Sequence, residues 1–231
     1  MLHEGFDCTF YFVRHVQSEA NVNSGIIGGI NPFTPATKQG LVQGQALGRR
    51  LKSLGVAFDA VFASRTRRTK TTAGLLCKEL GLDPKIIHVS RELVERDQGE
   101  WAGKNRTAMY NAEVLASMNK KVMDFAPPGG ESLRQKGRVM YAWVEKEVLL
   151  NPEYLKLAKD HPLHIVVVTH GLALKSLLHE ILGFDAQFTW RFEIANASLT
   201  IMRFTQDGWF PVCINDTGHL MQVGESIVDS R

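Results

Sequence analysis

A chain of 231 residues, 44% hydrophobic and 22% charged, has the composition of a soluble globular protein and enough length to bury a full core, as one large α/β domain or two small ones. Its formal net charge of +3 comes without a lysine or arginine run, which argues against a nucleic-acid arm, and no apolar stretch approaches the roughly 18 residues of a membrane span. Cys8, Cys77 and Cys213 lie far apart in apolar stretches and read as reduced core residues; with no export signal at the N-terminus, a cytoplasmic location is expected.

Residues 8–13 read as a buried strand that stops at Arg14-His15, so a cation and an imidazole sit where a strand opens into a loop. Residues 23–36, with Gly25, Gly28, Gly29, Pro32 and Pro35, form an irregular loop able to fold over that strand end. Thr37 is an N-cap for a helix carrying Leu47, Leu51 and Leu54, which Gly55 ends. The second strand, Ala57 to Ala63, has Ser64 at its carboxyl end, and the next helix carries Ala73, Leu76, Cys77 and Leu80 before Gly81.

A short third strand, Ile86 to Val89, leads to the loop-like stretch Leu93 to Gly103. Residues 104–122 have a weaker helical pattern, and the segment from about 104 to 130 reads as a small cap or insertion in a single domain spanning 1–231. Ser132 and Gln135 form a capping box that launches a helix with Met140, Val144 and Val148 on one face. His164 to Thr169 is a continuous apolar strand that delivers His170 to a helix whose Leu174, Leu177, Leu178 and Ile181 face the core. Two strand-like segments, Phe192 to Phe204 and Trp209 to Ile214, are joined at Asp207-Gly208, a hairpin signal.

This alternation implies a three-layer α/β fold: a mostly parallel sheet flanked by helices on both faces, with a hairpin near the C-terminus. His15, the arginines after Ser64, and His170 all follow carboxyl ends of strands, where such sheets gather their chemistry. The remaining histidines, His3, His88, His161, His164, His179 and His219, read as surface or satisfied core residues.

The chain resembles the histidine phosphatase superfamily, which includes the phosphoglycerate mutases. The resemblance rests on Val13-Arg14-His15 with Ser18 and Asn21, on Ser64 with Arg68, Thr72 and Ala73, on Glu95 with Gly99, Trp101 and Gly103, and on Val168-Thr169-His170-Gly171. Thr37-Gly40-Gln43, Gly130-Glu131-Ser132 and Asn196-Ala197-Ser198 are similar landmarks, so nearly the whole chain is covered in the family's order.

The resemblance implies His15 as a nucleophile that forms a phosphohistidine, given a hydrogen bond on its other ring nitrogen to fix the tautomer. It implies Arg14 and Arg68 as clamps on phosphoryl oxygens, with His170 and Asn21 as further donors, while Ser18 is equally a helix cap. Arg65 and Arg67 compete with Arg68 for its role. Glu95 is implied as the acid that protonates the leaving oxygen, and Asp97 and Glu100 are the competing acids. Arginines supply the charge, so no metal and no cofactor are expected.

Two departures stand out: Val16 where the family usually has glycine, adding bulk beside the phosphate, and Ser64-Arg65-Thr66 in place of Ser-Pro-Leu. Mutases resemble one another in an Arg-Arg pair before a Pro-rich turn, for which Lys120-Lys121 before Pro127-Pro128 is the nearest equivalent. The Gly-Glu-Trp-Ala-Gly form of the Glu95 loop is more typical of phosphatases. The preferred expectation is a metal-independent phosphomonoesterase acting on small phosphorylated metabolites, with Arg106 and the lysine pair as binders of a second anionic group. A phosphoglycerate mutase is the runner-up and a non-catalytic binding protein on the same fold the third reading. No nucleic-acid or membrane partner is expected.

Overall fold

The computed structural model describes residues 4–221 and 223; His3 lies outside the described residues. In chain order the elements are β1 (Asp7–Arg14), α1 (Glu19–Val22), α2 (Lys38–Lys52), β2 (Ala60–Ser64), α3 (Arg67–Leu80), β3 (Ile87–Ser90), α4 (Arg106–Met109), α5 (Ala112–Lys121), α6 (Leu133–Val144), α7 (Pro152–Leu157), β4 (Leu163–Thr169), α8 (Gly171–Leu182), β5 (Leu199–Thr205), β6 (Gly208–Asp216) and α9 (Gly218–Met221). The expected caps form: Thr37 Oγ1 accepts from Gly40 N, Ser132 and Gln135 close a capping box, and Gly81 and Gly183 end α3 and α8 in the left-handed conformation.

One sheet in the order β3-β2-β4-β1-β5-β6 runs through the molecule. β1 pairs parallel with β4, β4 with β2 and β2 with β3, while β5 and β6 join antiparallel. Side chains alternate across a strand, so β1 sends Phe10 and Phe12 to the face covered by α6 and α8, and Tyr11 and Val13 to the face covered by α2 and α3. Ile165 and Val167 of β4 divide from Val166 and Val168 in the same way. Two faces of helices on one sheet are the three layers expected.

The register aligns the site. Arg14 lies opposite Thr169 and Ala63 opposite Val168, so the carboxyl ends of β1, β2 and β4 finish side by side. A third apolar cluster, Ile27 with Trp101 and Phe125, fastens the glycine-rich loop against Met109 and Tyr110 of the α4 region and Val114 and Met118 of α5. The loop is also stitched by its backbone, with Ile27 N donating to Lys104 O, Gly103 N to Ile27 O and Arg106 N to Gly25 O.

Two expectations need correction. Phe192 to Ser198 is not strand: β5 begins at Leu199, because the preceding stretch turns back through Ala197 with φ at 56° and hydrogen-bonds to Arg14 O and His15 O. The hairpin turns at Gln206-Asp207, with Gly208 paired to Thr205 as the first residue of β6.

Candidate active site

β1 ends by placing His15 N on Thr169 O at 3.0 Å, which pulls the imidazole into the crevice beside β4. The ring is 4% exposed. Its Nδ1 contacts the carbonyl of Val16 at 2.7 Å, while Arg68 Nε donates to its Nε2 at 3.2 Å. A carbonyl only accepts and a guanidinium only donates, so Nδ1 carries the proton and Nε2 the lone pair. That is the tautomer a nucleophile needs.

Arg68 is the inward arginine of its segment; Arg65 and Arg67 are exposed. Its Nη1 donates to Asn31 O at 2.8 Å and its Nη2 to Gly29 O at 3.1 Å and to His170 Nδ1 at 3.2 Å. One guanidinium therefore ties both histidines to the glycine-rich loop. Thr72 supports this arrangement, accepting from Val16 N at 3.1 Å and donating to Arg68 O at 2.8 Å.

His170 is fully buried at the N-cap of α8, its ring centroid 5.0 Å from that of His15. Nδ1 accepts from Arg68, so Nε2–H donates to Ser64 Oγ at 2.8 Å. With this tautomer His170 becomes a donor to an anion through Nδ1 only as imidazolium. Burial, above all, then Arg68 and Arg14 hold His15 well below the usual histidine range; burial, then His15 and Arg68, do the same for His170.

Arg14 Nη1 donates to Ile194 O at 2.5 Å. Gly171 leaves room for it, since a Cβ there would stand 3.3 Å from Arg14 Nε. Asn21 Oδ1 accepts from Ser18 N at 3.0 Å, Ser18 Oγ at 2.7 Å and Asn196 Nδ2 at 3.3 Å, leaving its own Nδ2 as the donor group. Ser18 is thus both the cap of α1 and the residue that orients Asn21. Asn196, seen in the sequence only as a landmark, also donates to His15 O at 3.0 Å.

Glu95 docks at the start of α8, accepting from Ala173 N at 2.9 Å, Leu172 N at 3.2 Å and Arg96 N at 2.9 Å. These contacts hold its carboxylate on the first turn of α8, in the lining of the cavity. Asp97 also lines the cavity, its Oδ1 accepting from Gly99 N, whereas Glu100 is exposed outside the lining. Two buried cations behind this loop left no signal in the sequence: Arg96, whose Nη2 donates to Gln98 Oε1 at 3.0 Å, and Lys136, whose Nζ donates to Glu92 O at 3.0 Å.

The cavity has a volume of about 740 Å³, with Arg14, His15, Arg68 and Glu95 at its base and Arg106 at its mouth. Arg106 is exposed, its Nε on Ser24 O at 2.9 Å and its guanidinium 5.6 Å from the Tyr110 ring centroid. Lys120 and Lys121 are exposed on α5 and do not line the cavity, so the structure does not bring the lysine pair to the site. Val16 is also displaced from its expected place. Its side chain is buried among Leu47, Val61 and Ala73, it is not among the residues with positive φ, and Gly44 of α2 makes room for it. Among the described residues, no group of His, Cys, Asp and Glu is arranged to hold a metal ion, and no helix is long and apolar enough to cross a membrane.

A sequence model of the histidine phosphatase superfamily (branch 1) matches residues 10–217, and the chain belongs to that family. It is 30% identical over 206 residues to a 2,3-bisphosphoglycerate-dependent phosphoglycerate mutase of Brucella anthropi, covering 86% of this chain and 93% of that one. Among solved structures, mycobacterial glucosyl-3-phosphoglycerate phosphatase superposes with a TM-score of 0.75 at 23% identity, over 91% of this chain and 100% of the other. Phosphoserine phosphatase of Entamoeba histolytica, solved with 3-phosphoglyceric acid, does so with a TM-score of 0.76 at 18% identity, over 92% and 99%.

Proposed function

We propose that the protein is a phosphomonoester hydrolase that works through a phosphohistidine on His15. The observation that carries the reading is the state of His15: Nδ1–H on the Val16 carbonyl, and an Nε2 lone pair facing Arg68 in the lining of the cavity. Burial keeps this ring neutral at ordinary pH, and so nucleophilic.

In the first step His15 Nε2 attacks phosphorus in line with the ester oxygen; the N–P bond forms and the P–O ester bond breaks. Glu95, protonated for this step, gives its proton to the leaving alkoxide. Arg14 and Arg68 neutralise the equatorial oxygens with charged N–H groups, Arg68 through its Nε–H, and Asn21 Nδ2 adds a neutral donor. A dianion beside His170 favours a proton on Nδ1, converting that ring to a donor. In the second step the Glu95 carboxylate takes a proton from water, whose oxygen attacks phosphorus as the N–P bond breaks. Inorganic phosphate leaves and His15 regains its lone pair.

Hydrolysis is preferred to mutase chemistry because a mutase must hold a carboxylated acid through its transfer. Beyond the phosphate cluster the lining contributes one cation, Arg106, whose Nε is on Ser24 O, and it also contributes the Asp97 carboxylate. The mutase reading is supported by the names of the 30% identical relatives. Phosphorus NMR of the protein with 3-phosphoglycerate and a trace of 2,3-bisphosphoglycerate separates the two. Inorganic phosphate that disappears in His15→Ala supports the hydrolase; 2-phosphoglycerate that disappears in the same variant supports the mutase.

A further inference from the structure

The cavity is much larger than its phosphate-binding base requires. At about 740 Å³ it lies in the range used for ligands of drug size, and a three-carbon phosphate leaves most of it empty. What fills the rest is decided by its walls. The glycine-rich loop contributes Ile26, Ile30 and Pro32 over the buried Ile27, Ala102 packs beside Gly29 of the same loop, and Leu172 at the start of α8 adds to the apolar lining.

This wall is built rather than loose. Ile27 is 2% exposed and packed on Trp101, and the loop's carbonyls at Gly29 and Asn31 accept from Arg68. The Arg68 side chain that touches both histidines therefore also sets the distance from His15 to the apolar wall. Outside the phosphoryl site the lining of this cavity carries Asp97 and Arg106, opposite in sign, so an acid group on the substrate meets a carboxylate as well as a cation. Asn23, Asn31 and Thr34 supply neutral polar contacts.

We infer that the preferred substrate is the phosphomonoester of a bulky apolar or aromatic alcohol without a carboxylate, with the Ile26–Pro32 wall as the specificity-determining surface. This rests on the assignment of the cavity base as the phosphoryl site and deepens the hydrolase reading. Burying an aromatic leaving group against this wall favours it over a phosphorylated three-carbon acid by about tenfold or more.

The test pairs turnover with binding. Release of phosphate from 1-naphthyl phosphate and from 3-phosphoglycerate is compared for the wild type and Ile30→Ser. Binding of 1-naphthylmethylphosphonate and of 3-phosphonopropionate, which are not hydrolysed, is measured by calorimetry on the same proteins. The expected result is a kcat/KM ratio of at least about ten for the naphthyl ester, a matching ratio of Kd values, and a fall in both ratios by about fivefold in Ile30→Ser. Ratios near one, or ratios untouched by Ile30→Ser, overturn the apolar preference while leaving hydrolysis intact. No turnover of either ester, with the phosphonate preference present, overturns the hydrolase reading and leaves the apolar wall standing.

Discussion

Arg68 Nε and His15 Nε2 face each other at 3.2 Å, N–H to lone pair. The same lone pair must attack phosphorus, so a phosphoryl oxygen has to replace it as the acceptor of this N–H as substrate enters. The planar fork need not turn for that exchange, because Nη1 and Nη2 hold it on the loop with Nε–H facing the site.

Lysine has neither the reach nor the fork to do so. Arg68→Lys is expected to lower kcat/KM by about 10²-fold to 10³-fold, as removal of one preorganised transition-state donor does elsewhere. Arg65→Lys and Arg67→Lys, both on exposed side chains, are expected to stay within about twofold. Steady-state phosphate release from a single ester decides it, and a large loss at Arg65 or Arg67 with none at Arg68 reverses the assignment.

Glu95 is anchored by three backbone N–H groups. If it donates the proton, its worth depends on how badly the leaving group needs one. Glu95→Gln is expected to cut kcat by about 10²-fold to 10⁴-fold for alkyl phosphates, and far less for p-nitrophenyl phosphate, whose phenolate leaves unaided. Equal losses on both esters would instead make Glu95 a positioning group.

The two neutral imidazoles carry a cost in acid. Both native rings lie well below the ordinary value of 6.5, so beneath that value the unfolded chain binds protons that the folded chain refuses. Stability is fully present above about pH 6.5 and declines as the pH falls toward the lowered native values, by up to about 1.4 kcal/mol per pH unit for each ring. Urea midpoints measured from pH about 7.5 to about 5 should fall steeply for the wild type and less steeply for His170→Asn. Parallel slopes for the two proteins would refute the buried-neutral description of His170.

Gly40 sits against the backbone two residues beyond the nucleophile. A Cβ there would run into the carbonyl oxygen of Gln17, a residue also held by Gln43 Oε1 on its N–H at 2.8 Å and by Thr37 Oγ1 on its side chain at 2.8 Å. Gly40→Ala should therefore cost about 1–3 kcal/mol of stability by overpacking and reduce kcat as the His15 turn shifts. Thermal melts with single-turnover kinetics test both effects; an unaltered kcat at lowered stability would show that the turn does not transmit the strain.

Much of this was legible in the chain itself. The continuous apolar runs of β1 and β4, the 3.6 period of α2, α3, α6 and α8, and the caps at Thr37, Ser132 and Gly81 are local signals, and each element formed close to its expected limits. Arg14, His15, Ser64 and His170 announced themselves because each lies at or just after a strand end, and parallel pairing carries such ends to one edge.

Tertiary structure alone decided the rest, because those outcomes depend on contacts between residues distant in sequence. Packing of α3 on the sheet turned Arg68 inward and Arg67 outward, and left Arg65 exposed in the turn before the helix. Val16 lost its apparent conflict with the site when Gly44 opened space for it in the core, and Lys120-Lys121 fell away from the cavity when α5 turned them outward. Residue type and spacing record which face an element buries; they do not record which carbonyl a guanidinium will find, and that is why the link from Arg68 to Gly29 and Asn31 appears only in the folded chain.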